Sequence, residues 1–142
     1  MVMAKQTSQG RVNAVGVMLL AMAYAVCMLQ QAEGAVVVRK PVLHMVGGSG
    51  VWTVGSKVSY TRWAASKVFR VNDVLLFKYP VTFHNVVRVS QAEYQQCKIR
   101  KPLAVYRNGM ARVKLAKKGT YFFICGVPGH CQAGMKMALT VR

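Results

Sequence analysis

Acidic residues are scarce in this sequence, which has 3 Asp and Glu against 20 Lys and Arg among its 142 residues. The resulting formal net charge of +17 favours anionic partners but says little about the fold. The basic residues stand singly or in short pairs such as Lys117-Lys118. No arginine-rich tail, zinc-finger spacing or helix-turn-helix pattern accompanies them. A nucleic acid is therefore not the expected partner.

Long hydrophobic runs are also few. The one clear example, from Ala14 to Leu29, contains no charged residue and follows a basic start, which is the order found in a secretory signal peptide. The alternative is a membrane anchor, but a spanning helix needs about 20 apolar residues and this run is shorter. We predict a signal peptide over residues 1–34, removed after Gly34 or Ala32, and a single domain over residues 35–142.

Cysteine is limited to four residues, and the predicted cleavage removes Cys27. Cys97, Cys125 and Cys131 remain in an exported, oxidising context, where an idle thiol is a liability. The simplest partition of three cysteines is one disulfide pair and one thiol with a separate role.

Helix signals are few in the predicted domain, whereas short β-type segments are many. One short helix is predicted from Gln91 to Cys97, where Ser90 can serve as the N-cap and Glu93 completes a capping box. Asn108-Gly109 predicts a tight hairpin turn. The whole pattern favours a β-sandwich of about 100 residues. The predicted strands are Val42–Val46, Val74–Phe77, Val81–Val89, Leu103–Tyr106, Ala111–Leu115, Tyr121–Ile124 and Met135–Val141.

The segment from Cys125 to Met135 carries the most chemical information, because it has the spacing Cys125-x4-His130-x4-Met135. A thiolate, an imidazole and a thioether are donors that suit copper in both of its oxidation states. Glycines and a proline in this loop allow the three donors to converge. A trigonal site needs a second imidazole, and His84, predicted to lie on a strand, is the candidate.

Other interpretations of these residues are open at this stage. Cys125 and Cys131 could form a disulfide, Met135 could be ordinary core packing, and zinc could be bound by His84, Cys125, His130 and Cys131. His44 has no neighbouring donor motif and is interpreted as a hydrogen-bonded core or surface residue.

The segment Tyr121 to Lys136 resembles the copper-loop signature of the plant phytocyanins, in particular the plantacyanin or basic blue protein subgroup. Val46 to Trp52, Asp73 to Tyr79 and Phe83 to Val87 resemble three further segments of that family. The resemblance implies a cupredoxin-like, Greek-key β-sandwich with one type 1 (blue) copper ion. It also implies His84, Cys125, His130 and Met135 as the copper ligands and a disulfide between Cys97 and Cys131.

Electron transport is the function that these features predict. The protein would carry single electrons between extracellular redox partners in the apoplast or cell wall and would not be an enzyme. The surface charge favours an acidic redox partner that is not identified, or an anionic cell-wall polysaccharide. We expect a monomer without a membrane anchor. The alternative is a basic extracellular binding module, with a role in the cell wall or in signalling, in which copper is secondary.

Overall fold

A computed structural model describes residues 13–30, 39–48 and 51–142. The chain divides into two units, residues 1–39 and residues 40–142. The first unit contains helix α1 (Ala14–Gln30), which covers the predicted signal-peptide core. None of the described helices is both long and apolar enough to cross a membrane. The predicted cleavage positions and the predicted start of the mature domain lie outside the described residues.

The second unit consists of two β-sheets with two short helices. In one sheet the strand order is β1-β2-β5, with β1 parallel to β2 and β5 antiparallel to it. In the other sheet the order is β4-β3-β6-β7, and every neighbouring pair is antiparallel. The elements are β1 (Leu43–Met45), α2 (Tyr60–Ala65), β2 (Val74–Lys78), β3 (Val86–Val89), α3 (Gln91–Gln96), β4 (Ala104–Tyr106), β5 (Met110–Lys114), β6 (Gly119–Ile124) and β7 (Lys136–Val141).

The predicted sandwich is confirmed, and its two sheets enclose an aromatic core. Phe77 of β2 and Phe123 of β6 come from opposite sheets, and their ring centroids are 5.3 Å apart. Trp52 contacts the edge of Phe77 and is fully buried. In β5, Ala111 and Val113 are buried while Arg112 and Lys114 are exposed, as the alternation in the sequence predicts.

The helix after β3 is also confirmed. Ser90 accepts a hydrogen bond from the backbone N–H of Glu93, and the Glu93 carboxylate accepts one from the backbone N–H of Ser90, which completes the capping box. The helix ends at Cys97, which has a positive φ of 50°. A second hydrophobic cluster, which includes Val87, Val89 and Ile124, packs with Tyr94 of this helix.

Three local predictions were wrong. Asn108-Gly109 does not close a hairpin, because β4 pairs with β3 and β5 pairs with β2 in the other sheet, so the chain crosses between sheets at this point. Residues 81–85 precede β3 instead of belonging to it. Helix α2 was not predicted. It forms because Ser59 accepts a hydrogen bond from the N–H of Arg62 and because Tyr60 and Ala64 share one buried face.

Candidate metal centre

The predicted donor residues lie on connections at one end of the sandwich, which we call the metal end and define by His84, Cys125, His130 and Met135. His84 lies two residues before β3, and Cys125 directly follows β6. Since β3 and β6 are antiparallel neighbours, with Val87 opposite Ile124, the start of one strand and the end of the other meet at this edge. Met135 directly precedes β7, and His130 lies in the loop between β6 and β7.

Three of the four side chains form one cluster. The ligand atoms of His84, Cys125 and His130 all lie within 4.8 Å of one another. Nδ1 of His130 is 3.2 Å from Nδ1 of His84 and 3.5 Å from Sγ of Cys125. Cys125 is 1% exposed and His84 is 7% exposed, whereas His130 is partly accessible. The two imidazoles therefore differ in their access to solvent.

Backbone hydrogen bonds hold Met135 against the other donor residues. The N–H of Cys125 donates to the carbonyl of Met135 over 3.0 Å, and the N–H of Met135 donates to the carbonyl of His130 over 2.9 Å. Met135 is 1% exposed and belongs to the main core. The loop is also tied to the segment before β3, because the N–H of Gly126 donates to Oδ1 of Asn85 over 2.7 Å.

Thr53 orients the ring of His84, and sequence reasoning missed it. Nε2 of His84 lies 3.1 Å from the Thr53 hydroxyl, which itself donates to the carbonyl of Val54. A hydroxyl that uses its proton in this way accepts from Nε2–H, which leaves the lone pair on Nδ1 facing the cluster. Burial, with a further contribution from the neighbouring His130, lowers the pKa of His84 and favours the neutral imidazole. No sequence spacing links Thr53 to His84, so only the folded chain reveals the contact.

Cys97, Cys131 and His44 lie outside the cluster and have other partners. Cys97 and Cys131 form a disulfide with a Cα–Cα distance of 5.7 Å, whereas Cys125 is a free, buried thiol. Both the Cys125–Cys131 disulfide and a zinc site that uses Cys131 are therefore wrong. His44 is placed as expected, with Nε2 lying 3.0 Å from Oδ2 of the buried Asp73.

The cluster fits a first-row metal ion that prefers soft ligands. Imidazole nitrogen and thiolate sulfur bind such ions at about 2.0–2.3 Å, so donors that share one ion lie about 3–4 Å apart. The observed separations of 3.2 Å and 3.5 Å fall in this range. Within the described part of the chain no Asp or Glu joins the group. A donor set of two imidazoles and one thiolate, without a carboxylate, suits copper.

Two stacked sheets with a His-Cys-His cluster at one end define a protein of the cupredoxin class. Residues 52–135 match the family model described as "Plastocyanin-like domain". The chain is 44% identical over 103 residues to "Chemocyanin" from Lilium longiflorum, covering 72% of this chain and 78% of that protein. It is 43% identical over 97 residues to "Basic blue protein" from Cucumis sativus, covering 68% and 96%.

A solved structure extends the comparison to three dimensions. The chain superposes on the cucumber basic protein, a blue copper protein, with a TM-score of 0.64 and 41% sequence identity, covering 71% of this chain and all of that one. The chain therefore contains a plastocyanin-like domain and belongs to the phytocyanin family.

Proposed function

We propose that this protein carries single electrons through one copper ion held by His84, Cys125, His130 and Met135. The convergence of two imidazole nitrogens and one thiol sulfur at one end of a rigid sandwich supports this function. Copper supplies the one-electron redox couple, and a ligand set acceptable to both oxidation states lets the electron arrive with little rearrangement. The protein residues hold the donors in place and keep water away from the thiolate.

His130 is the side chain through which electrons pass to a partner. It is the accessible imidazole of the pair, whereas His84 is covered and bound to Thr53. The residues on both sides of His130 in the chain, Gly129 and Cys131, line a groove of about 390 Å³ whose walls also include Val127 and Pro128. No charged side chain is among the lining residues of this groove. An uncharged groove in the loop that carries the exposed ligand allows a partner to approach closely and to leave quickly.

A carrier is favoured over a catalyst because the cluster leaves little room for a substrate. Sγ of Cys125 and the ring of His84 are buried, and Met135 is held behind them by backbone hydrogen bonds. Copper enzymes that act on a bound substrate need an open coordination position. We therefore expect the copper-loaded protein to exchange electrons with external donors and acceptors without turning over a substrate.

Visible absorption tests this proposal directly. Copper(II) added to the protein should produce the intense charge-transfer band of a copper–thiolate bond, and Cys125→Ser should abolish it. Ala133→Ser is the matched control, because it introduces the same side chain at an exposed position of the loop that follows β6. It should leave the band unchanged. A colourless protein that binds zinc in preference to copper would contradict the proposal.

Met135 has its own test. Met135→Gln should retain the visible band, because His84, Cys125 and His130 remain, and should lower the reduction potential measured by voltammetry. An unchanged potential would exclude Met135 as a ligand.

We also propose that the protein works outside the cell, in the apoplast or cell wall. The charge-free apolar run that forms α1 and the disulfide between Cys97 and Cys131 support an exported location. Expression of the whole chain in plant cells, followed by N-terminal sequencing of the protein recovered from the wall fluid, should find Ala35 or Glu33 as the first residue. Recovery of the uncut chain inside the cell would contradict this location.

A further inference from the structure

A concave, strongly basic surface lies at the end of the sandwich opposite the metal end. We call it the basic pocket and define it by Arg88, Lys114, Lys117 and Lys118. These side chains, together with Ala116, Thr120 and Tyr121, line a pocket of about 360 Å³. Strand β6 leads from Thr120 and Tyr121 in this pocket to Cys125, and at about 3.3 Å per residue these two pocket residues lie about 13–17 Å from Cys125 along the strand.

The pocket opens at the gap between the two sheets. Arg88 belongs to β3 in one sheet, and Lys114 ends β5 in the other. Tyr121 shapes the connection between them, because its hydroxyl donates to the carbonyl of Lys117 and accepts from the N–H of the same residue. The positions of the basic side chains therefore depend on the ends of three strands and on a hydrogen-bonded turn.

Arg88 is held in place with part of its hydrogen-bonding capacity unused. Its guanidinium carbon lies 4.3 Å from the ring centroid of Tyr121, which fixes the plane of the group. Its Nε is buried and has no acceptor among the described residues. An arginine that is fixed in plane and lines a pocket can receive an anion with little loss of side-chain entropy.

Among the residues that the structure describes, no Asp or Glu lines this pocket. The acids in the described part of the chain are Asp73 and Glu93, and neither lines it. The carboxylate of Asp73 binds His44 and the backbone N–H groups of Val42 and Arg70, and that of Glu93 binds Ser90, Arg100 and Lys101. Four cationic side chains thus surround a cavity without a counter-charge, which favours an anion from outside.

The lining of the pocket discriminates among classes of anion. Binding of a single-stranded nucleic acid relies on exposed aromatic faces, but Tyr121 is 4% exposed and lies under Arg88. An acidic protein needs an apolar centre in the interface, and Ala116 is the one apolar aliphatic residue in the lining. A carboxylated polysaccharide needs neither, because it offers repeated carboxylates on a polar chain.

We propose that the basic pocket binds a carboxylated polysaccharide, with one sugar carboxylate on the guanidinium of Arg88 and the next on Lys117 and Lys118. Anchoring at this end leaves His130 and the uncharged groove free. This site does not depend on copper, so the inference stands or falls apart from the proposed electron transport.

Binding of the copper-loaded protein to polygalacturonate tests the site. Lys117→Ser/Lys118→Ser should weaken binding about tenfold and reduce the slope of log affinity against log salt by about two, because two ionic contacts are lost. Lys98→Ser/Lys101→Ser is the matched control: it removes the same charge from exposed residues whose recorded hydrogen bonds involve only the backbone. Equal weakening by both double variants would show that only net charge matters and would overturn the proposal.

Arg88 is examined by a second measurement that needs no variant. Titration of the ¹⁵N-labelled protein with a short galacturonate oligomer should shift the amide signals of residues 88 and 114–121 most and leave the visible copper band unchanged. The largest shifts at residues 126–134 would overturn the placement of the site. Polyglutamate and single-stranded DNA of matched charge should bind several-fold more weakly. Equal binding of all three would overturn the assignment to a polysaccharide.

Discussion

The two ends of the sandwich share strands β3 and β6 but carry opposite kinds of side chain. At the metal end the donors are two imidazoles and a buried thiol beside a groove that no charged side chain lines. At the basic pocket, four cationic side chains line one cavity. Strands β3 and β6 thus connect the metal end, where no charged side chain lines the groove, to the basic pocket, which four cationic side chains line.

The difference shows how a small protein whose whole chain has a net charge of +17 can still bind a metal cation. Lys114 ends β5, and Lys117 and Lys118 lie in the turn before β6, whereas Cys125 directly follows β6. The six residues of β6 span about 20 Å, twice the Debye length at 0.1 M salt, so salt ions largely screen the repulsion between these three charges and a metal ion. The two sites can therefore work in one small fold without opposing each other.

The largest effect is expected from the disulfide of the metal end. Cys97→Ala/Cys131→Ala should lower the free energy of unfolding by about 4 kcal/mol, because the bridge closes a long loop in the unfolded chain. The two residues are 34 positions apart. Urea unfolding of the metal-free protein measures the change, with Gln132→Ala, at an exposed position beside Cys131, as the control. If this variant lost less free energy of unfolding than either Asn85→Ala or Tyr121→Phe, the metal end would be held together by its hydrogen bonds alone.

The hydrogen bond between the segment before β3 and the loop after β6 should have the second largest effect on stability. Asn85→Ala removes the acceptor of the Gly126 N–H and should destabilise the protein by about 2 kcal/mol, since a partly buried donor is left without a partner. The exposed Asn108, which makes no recorded side-chain hydrogen bond, provides the control Asn108→Ala. Thermal unfolding of both variants measures the difference, and equal melting temperatures would contradict the prediction.

The orientation of His84 should matter for the metal more than for the fold. Thr53→Val keeps the shape of the side chain but removes the hydroxyl, and it should weaken copper binding about tenfold. Nitrogen chemical shifts of the metal-free protein should show a mixture of His84 tautomers in place of the single Nε2–H form. Thr61→Val, an exposed site in α2, is the control. Unchanged affinity with an unchanged tautomer would exclude a positioning role for Thr53.

A smaller effect on stability is expected at the basic pocket. Tyr121→Phe removes two hydrogen bonds to Lys117 and should cost about 1 kcal/mol of stability. The copper band should not change, whereas binding to polygalacturonate should weaken because the turn that carries Lys117 and Lys118 loosens. A shifted copper band would show that the two ends are coupled.

Acid should destabilise the start of α3, where Glu93 completes the capping box. Backbone N–H groups of Lys101, Arg100 and Ser90 lower the pKa of Glu93 from 4.5 to about 2. A carboxylate with a lowered pKa stabilises the fold fully above pH 4.5, and that contribution is lost as the pH falls towards 2. Unfolding measured from pH 6 to pH 2 should show this loss, and Glu93→Gln should flatten it. An equally steep loss in Glu93→Gln would assign the effect to other groups.

Local sequence patterns predicted most of the fold. The alternation in β5, the apolar run in β2 and the capping box of α3 each depend on residues close together in the chain, and all three are present. The wrong hairpin prediction depends on partners that are far away in the chain. Asn108-Gly109 is a good turn sequence, but which strand lies beside β5 is decided by packing across the sandwich.

The candidate metal site likewise depends partly on local sequence patterns and partly on contacts between distant segments. Cys125-x4-His130-x4-Met135 is a local spacing, so the sequence alone determined which residues of this loop could bind a metal. A zinc site with Cys131 stayed open until the fold paired that residue with Cys97. The meeting of His84 with Cys125 required β3 to pair with β6, the hydrogen bond of Thr53 to His84 joins residues 31 positions apart, and the basic pocket joins both sheets. The kinds of side chain and their local spacing are properties of the sequence, whereas contacts between distant segments exist only once burial of the core has selected one arrangement of the strands.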